Sequence, residues 1–151
     1  MLKRLDPLLT ADILAALRAM GHGDELVVAD ANFPADSIAR QTVLGNILRM
    51  DGVNAPRAIR AILSVLPLDS FVDCPAMRME VVGAPEQILP VHQEVQAEVD
   101  RAEGKRLTMG GIERMAFYER AKGAYCVIAT GERRFYGCFI LKKGVIPPEE
   151  E

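Results

Sequence analysis

The sequence predicts a single-domain, three-layer α/β fold, on three observations. Segments with helical apolar spacing alternate with short apolar runs, the pattern of helices packed on a sheet. The run Leu26-Val27-Val28-Ala29 is apolar without alternation, as a strand covered on both faces must be. The 151 residues contain no internal repeat, low-complexity segment or linker, so 1–151 is read as one domain able to bury roughly 70% of the surface its unfolded chain exposes.

Taken in order, Thr10 is the expected N-cap of a first helix whose Ile13, Leu14, Leu17 and Met20 share one face. Gly21, able to adopt the left-handed conformation, should end it. The strand Leu26 to Ala29 follows, and Pro34 is expected to stop regular structure. Residues 35–52 carry no clear period; Val43-Leu44 and Ile47-Leu48 suit either a short strand or an irregular segment. Asn54 and Pro56 open a second helix through Ile59, Ile62, Leu63 and Leu66, which Pro67 terminates. Met77, Met79 and Val81 alternate with Arg78 and Glu80 in a half-buried strand. Ile88, Val91, Val95 and Val99 then mark an amphipathic helix closing near Gly104, with His92 on its polar side. A glycine loop through Gly110-Gly111, a short helix from about Ile112 to Lys122, and strands from Ala124 to Thr130 and Tyr136 to Lys142 complete the pattern before a polar tail, Pro147 to Glu151.

Composition excludes several classes of function. A net charge of −3 with both signs interspersed, and no Trp, gives neither the field nor the stacking platforms of a nucleic-acid binder. No apolar run approaches the ~20 residues that span a bilayer, and the N-terminus lacks the apolar core of a secretory signal, so a soluble cytoplasmic protein is expected. Cys74, Cys126 and Cys138 are an odd, widely spaced set, suited to buried small hydrophobes rather than to disulfides or a zinc ribbon. Phosphate-cradling glycine loops and nucleophile elbows are missing, so neither a nucleotide cofactor nor covalent catalysis is expected.

Proton transfer is the chemistry that remains. Gly21-His22-Gly23 sets an imidazole, whose ordinary pKa lies near neutrality, in a glycine turn. Asp30 stands at the carboxyl end of the following strand, where ligands of α/β sheets gather. It either holds the imidazole or binds a substrate hydroxyl. His22, Asp24 and Asp30 lack a recognised metal-ligand spacing, so no metal is expected. Near the C-terminus Tyr136 offers a phenol that can both stack and hydrogen-bond, and Gly137 beside it permits close approach by a ligand.

At these residues a family resemblance emerges. Asp6-Pro7-Leu8-Leu9, the block Met20 to Glu25, Asp30-Ala31-Asn32-Phe33-Pro34, Ala116 to Ala121, Thr130-Gly131-Glu132, Tyr136-Gly137 and Leu141 to Val145 resemble the fucose mutarotase and ribose pyranase family, closer to its fucose branch. The match is weakest from Gly83 to Gly111. The resemblance implies that family's fold and a cofactor-independent isomerase that interconverts the anomers of L-fucose or a related monosaccharide. It implies catalytic roles for His22 (general acid), Asp30 and Tyr118, and sugar contacts at Asp30, Arg114, Tyr136, Gly137 and Cys138. It further implies a ring-shaped homodecamer with sites at subunit contacts. Cys138 departs from the Asn common in fucose-type members, and a thiol is a poor hydrogen-bond partner, so a sugar contact is expected to be lost there. The alternatives are ribose pyranase activity and a non-catalytic sugar-binding or transport-accessory role.

Overall fold

The computed structural model describes residues 1–149, so of the polar tail Glu150 and Glu151 lie outside the described residues. Among the described residues a six-stranded sheet runs in the order β2-β5-β1-β6-β3-β4, formed by β1 (Glu25–Ala29), β2 (Leu48–Met50), β3 (Ala76–Met79), β4 (Gly110–Ile112), β5 (Cys126–Thr130) and β6 (Phe139–Lys142). β6 is antiparallel to both of its neighbours, β1 and β3, whereas every other pairing is parallel. The five parallel strands therefore share one carboxyl end.

Helices cover both faces, giving the predicted three layers. On one face α1 (Ala11–Ala19), α3 (Ala55–Leu63) and α4 (Pro90–Glu103) bury Ile13, Ile59, Ile62, Val95 and Val99 against Leu26, Val28, Ile128 and Phe139. On the other, α2 (Ala35–Ala39) and α5 (Arg114–Lys122) press Ile38, Phe117 and Ala121 onto Val27, Val127 and Ile140. Successive residues of β1 serve opposite faces, which is why Leu26 to Ala29 shows no polar alternation.

Local chemistry sets the boundaries. The Thr10 hydroxyl accepts from the Ile13 N–H, the Asn54 side chain from the Arg57 N–H, and the Glu113 carboxylate from Met115 and Ala116 at the start of α5. Gly104, at φ +69°, closes α4 in the left-handed conformation.

Several expectations are corrected. α1 ends at Ala19, and the left-handed residue of the turn is Gly23 rather than Gly21. Pro34 does not stop regular structure: its fixed φ leads directly into α2, a five-residue helix too short to show a period. Gly110 and Gly111 are not loop but edge strand, where a side chain at either would press on Met77 of β3 or on Glu80 just past its end. The last strand starts at Phe139, because Tyr136 takes a left-handed φ of +60° that no strand residue adopts. Cys126 and Cys138 are buried as expected, and Cys74 is half-buried.

The polar side of α4 is the largest correction. His92 is not on a solvated face but 1% exposed, and Gln96 is buried beside it. Below them Arg78 on β3 is buried as well, its Nη2 donating to the Pro85 carbonyl while Nε and Nη1 have no partner among the described residues. Hydrogen bonds inside the fold replace solvent here: Gln96 spans the Leu107 carbonyl and the Met109 N–H.

Candidate active site

The carboxyl end of the parallel strands carries a cleft of about 470 Å³, within the range of small-molecule sites. Four chain segments converge on it. β1 delivers Asp30, Asn32 and Phe33; β3 delivers Met79 and Val82; β4 leads into α5 with Arg114 and Tyr118; and the loop entering β6 brings Phe135, Tyr136 and Cys138. Of the candidate residues, Asp30, Arg114, Tyr118, Tyr136 and Cys138 thus line one cavity. A separate cavity of about 300 Å³ beneath α4 holds none of them.

Asp30 is 6% exposed, and its Oδ1 accepts from the Asn32 and Phe33 N–H groups at 3.0 and 2.9 Å. The turn takes this one oxygen and fixes the carboxylate at the cleft wall. The Asp30 N–H donates to Cys138 Sγ at 3.5 Å. That thiol is 1% exposed, and burial, followed by the nearby Asp30 charge, pushes it well above the ordinary thiol range, so it stays neutral. Arg114 Nε donates to the Tyr118 hydroxyl at 3.1 Å, and its guanidinium lies 5.3 Å from the centre of the Tyr118 ring. Phe33 meets the Tyr118 ring edge-on at 5.4 Å. The Tyr136 hydroxyl accepts from the Val82 N–H at 3.3 Å.

Gly137 does not line the cleft. A side chain there would come within 2.7 Å of Glu132 and 3.6 Å of Asp30, so its bareness makes room for protein rather than for a ligand. Glu132, 2% exposed, holds this loop together. Its carboxylate accepts from the Arg134 side chain, the Arg134 N–H and the Ala55 N–H at the start of α3. Burial alone would raise this carboxyl, but those bonds and the Arg134 charge outweigh it and lower it to about 2.

His22 is elsewhere. The turn carrying it precedes β1 and Asp30 follows it, so the five-residue strand separates them by roughly 16 Å at ~3.3 Å per residue. Asp30 therefore does not hold the imidazole of its own chain. That role falls to Asp69, a residue the sequence did not single out: its Oδ1 accepts from His22 Nε2 at 2.9 Å and from the Phe71 N–H at 3.0 Å. These two bonds hold the Asp69 carboxyl below the usual carboxylate range, the His22 bond first. Asp69 is 4% exposed, whereas the His22 side chain is 44% exposed and leans on the exposed Phe71 ring at 5.3 Å. With Nε2–H given to the carboxylate, His22 Nδ1 is the nitrogen left free of that bond. The only trace of Asp69 in the sequence is an isolated acid after the helix-ending Pro67. Among the described residues no three His, Cys, Asp or Glu side chains cluster as a metal site.

Comparison with known proteins adds the lineage. The model of the RbsD / FucU transport protein family matches residues 3–146. The fucose mutarotase of Bos taurus is 45% identical over 152 residues, covering 99% of this chain and 97% of its own. Among solved structures, protein Atu2016 superposes with a TM-score of 0.95 at 65% identity, covering 97% of both chains. The fucose mutarotase of Streptococcus pneumoniae in complex with L-fucose superposes with a TM-score of 0.86 at 39% identity, covering 97% of this chain and all of that one.

Proposed function

Because this chain belongs to the RbsD / FucU transport protein family, we propose that it is a mutarotase exchanging the α and β anomers of L-fucose. The observation that carries the proposal is the cleft itself. It joins a fixed carboxylate (Asp30), an Arg114–Tyr118 pair and a second phenol (Tyr136) with an apolar wall of Phe33, Met79, Val82 and Phe135. Polar groups of this kind suit sugar hydroxyls, and the apolar wall suits the methyl group of a 6-deoxy sugar.

Mutarotation opens a cyclic hemiacetal and recloses it on the other face. A proton given to the ring oxygen accompanies cleavage of its bond to the anomeric carbon, and the anomeric hydroxyl loses its proton to become the aldehyde. Rotation about the next carbon–carbon bond and reversal of both transfers yield the other anomer. His22, oriented by Asp69, is the acid of this proposal, and Asp30 and Tyr118 are the groups able to take and return the hydroxyl proton. Such acid-base help supplies about 10²–10⁴-fold, enough for a reaction that already proceeds in water.

His22 lies at the opposite end of the sheet from the cleft, so it serves this chemistry from a neighbouring copy of the chain. Two exposed aromatic residues support that assembly: Phe71 beside His22, and Phe135 at the rim of the cleft. The ring-shaped homodecamer belongs to the same proposal, as does a cytoplasmic location, in keeping with three free cysteines.

Saturation-transfer NMR of L-fucose tests the activity. The protein should accelerate anomer exchange, and His22→Ala should return the rate to that of buffer with the circular dichroism unchanged. Ribose in the same experiment distinguishes pyranase activity. One observation favours a second reading, a sugar binder without turnover: Cys138 is spent on the Asp30 backbone and offers the sugar no strong hydrogen bond. Calorimetric fucose binding without faster exchange would select it. A protein that neither binds nor exchanges any of a panel of monosaccharides refutes both readings.

A further inference from the structure

Tyr136 is the one cleft residue held in a conformation its side chain disfavours. Its φ of +60° lies in the left-handed region, where a bulky residue persists only when its surroundings impose it. The constraint comes from behind the sheet. His92, in the first turn of α4, places Nε2 3.0 Å from the Tyr136 carbonyl, and its Nδ1 accepts from the Leu89 N–H at 3.1 Å. The second bond requires a bare Nδ1, so the proton sits on Nε2 and is given to Tyr136. The edge-on Phe139 ring, 6.0 Å away, closes one side of the imidazole. Burial, and the Arg78 guanidinium beside it, disfavour the imidazolium, although the Tyr136 bond acts the other way.

We propose that His92 is a positioning residue for the sugar cleft: its Nε2–H holds the Tyr136 carbonyl and fixes the left-handed turn that aims the Tyr136 phenol into the site. This rests on the cleft being the sugar site, and it places a determinant of substrate affinity on the opposite face of the sheet. α4 grips the same loop a second time through Glu94, which pairs with Arg134 at 2.7 Å. The helix is therefore a backing for the loop rather than only a layer of the core.

The test compares His92→Leu, His92→Gln and Val95→Ala in the full chain. Leu removes the donor, Gln restores an N–H at the reach of Nε2, and Val95→Ala loosens the same helix without touching Tyr136. His92→Leu should raise the KM for L-fucose about 3- to 10-fold, the scale of one hydrogen bond, with a smaller change in kcat. His92→Gln should recover most of that loss, and Val95→Ala should lower the melting temperature while leaving KM in place. A folded His92→Leu protein with wild-type KM, or a Val95→Ala protein with an equal rise, overturns the proposal. Calorimetric L-fucose affinity, followed across the same variants, keeps the test independent of turnover, so absent catalysis would fault the mutarotase reading alone. Should His92→Leu not fold, the ¹⁵N imidazole signals of the wild-type protein decide: an Nε2–H tautomer is expected, and an Nδ1–H tautomer contradicts the proposal.

Discussion

Asp69 gives His22 its orientation, and the two groups differ sharply in exposure, with a buried carboxylate behind a half-exposed ring. A proton carrier needs this arrangement: a fixed charge on one nitrogen and access to substrate on the other. Replacing Asp69 by Asn should therefore cut anomer exchange roughly tenfold or more while L-fucose binding in the cleft is kept, read by NMR exchange beside calorimetry. The same residue carries a pH signature. Its carboxyl is lowered in the fold, so the stabilisation it lends is complete above its ordinary value near 3.8 and fades as pH falls through the depressed one. Of these residues, His22 and Asp30 were legible in the sequence because each sits at a break in pattern, a glycine turn and a strand end. Asp69 was not, because its partner is 47 residues away and only folding brings them together. The pairing of His22 with Asp30 failed for the opposite reason: nearness in sequence across a strand means separation in space.

At the scale of elements, the loop from Gly131 to Cys138 decides the shape of the cleft, and Glu132 is its keystone. Its carboxyl lies at about 2 against an ordinary 4.5, so it stabilises the fold above about pH 4.5 and loses that contribution as pH falls toward 2. Because Arg134 is partly exposed and solvent screens the pair, Glu132→Gln should cost on the order of 2 kcal/mol at pH 7. That corresponds to a melting point lower by about 4–8 °C, and the gap from wild type should narrow below pH 4 in a thermal scan. Helices with caps and long apolar stripes, α1, α3 and α4, were readable from spacing. The short elements were not: α2 has one turn and a half, and β4 is two glycines and an isoleucine whose strand character comes wholly from pairing with β3. The buried polar side of α4 was misread because periodicity counts His92 and Gln96 as solvent-facing, whereas hydrogen bonds to the chain allow them inside.

Across the whole molecule, the sheet separates the two halves of the proposed site. Every cleft residue lies where the parallel strands end, and the His22–Asp69 pair lies where β1 begins. The alternation of helices and strands made the three layers predictable, but nothing in a linear pattern says that His22 and Asp30 end up at opposite ends of the sheet. If a site is completed by two copies, two defective chains can repair each other. Coexpressed His22→Ala and Asp30→Asn chains, purified as a mixed assembly, should recover up to about one quarter of wild-type L-fucose exchange, because random pairing rejoins an intact imidazole with an intact cleft at that frequency. Activity in the mixed assembly no higher than in the two variants kept apart would contradict a shared site.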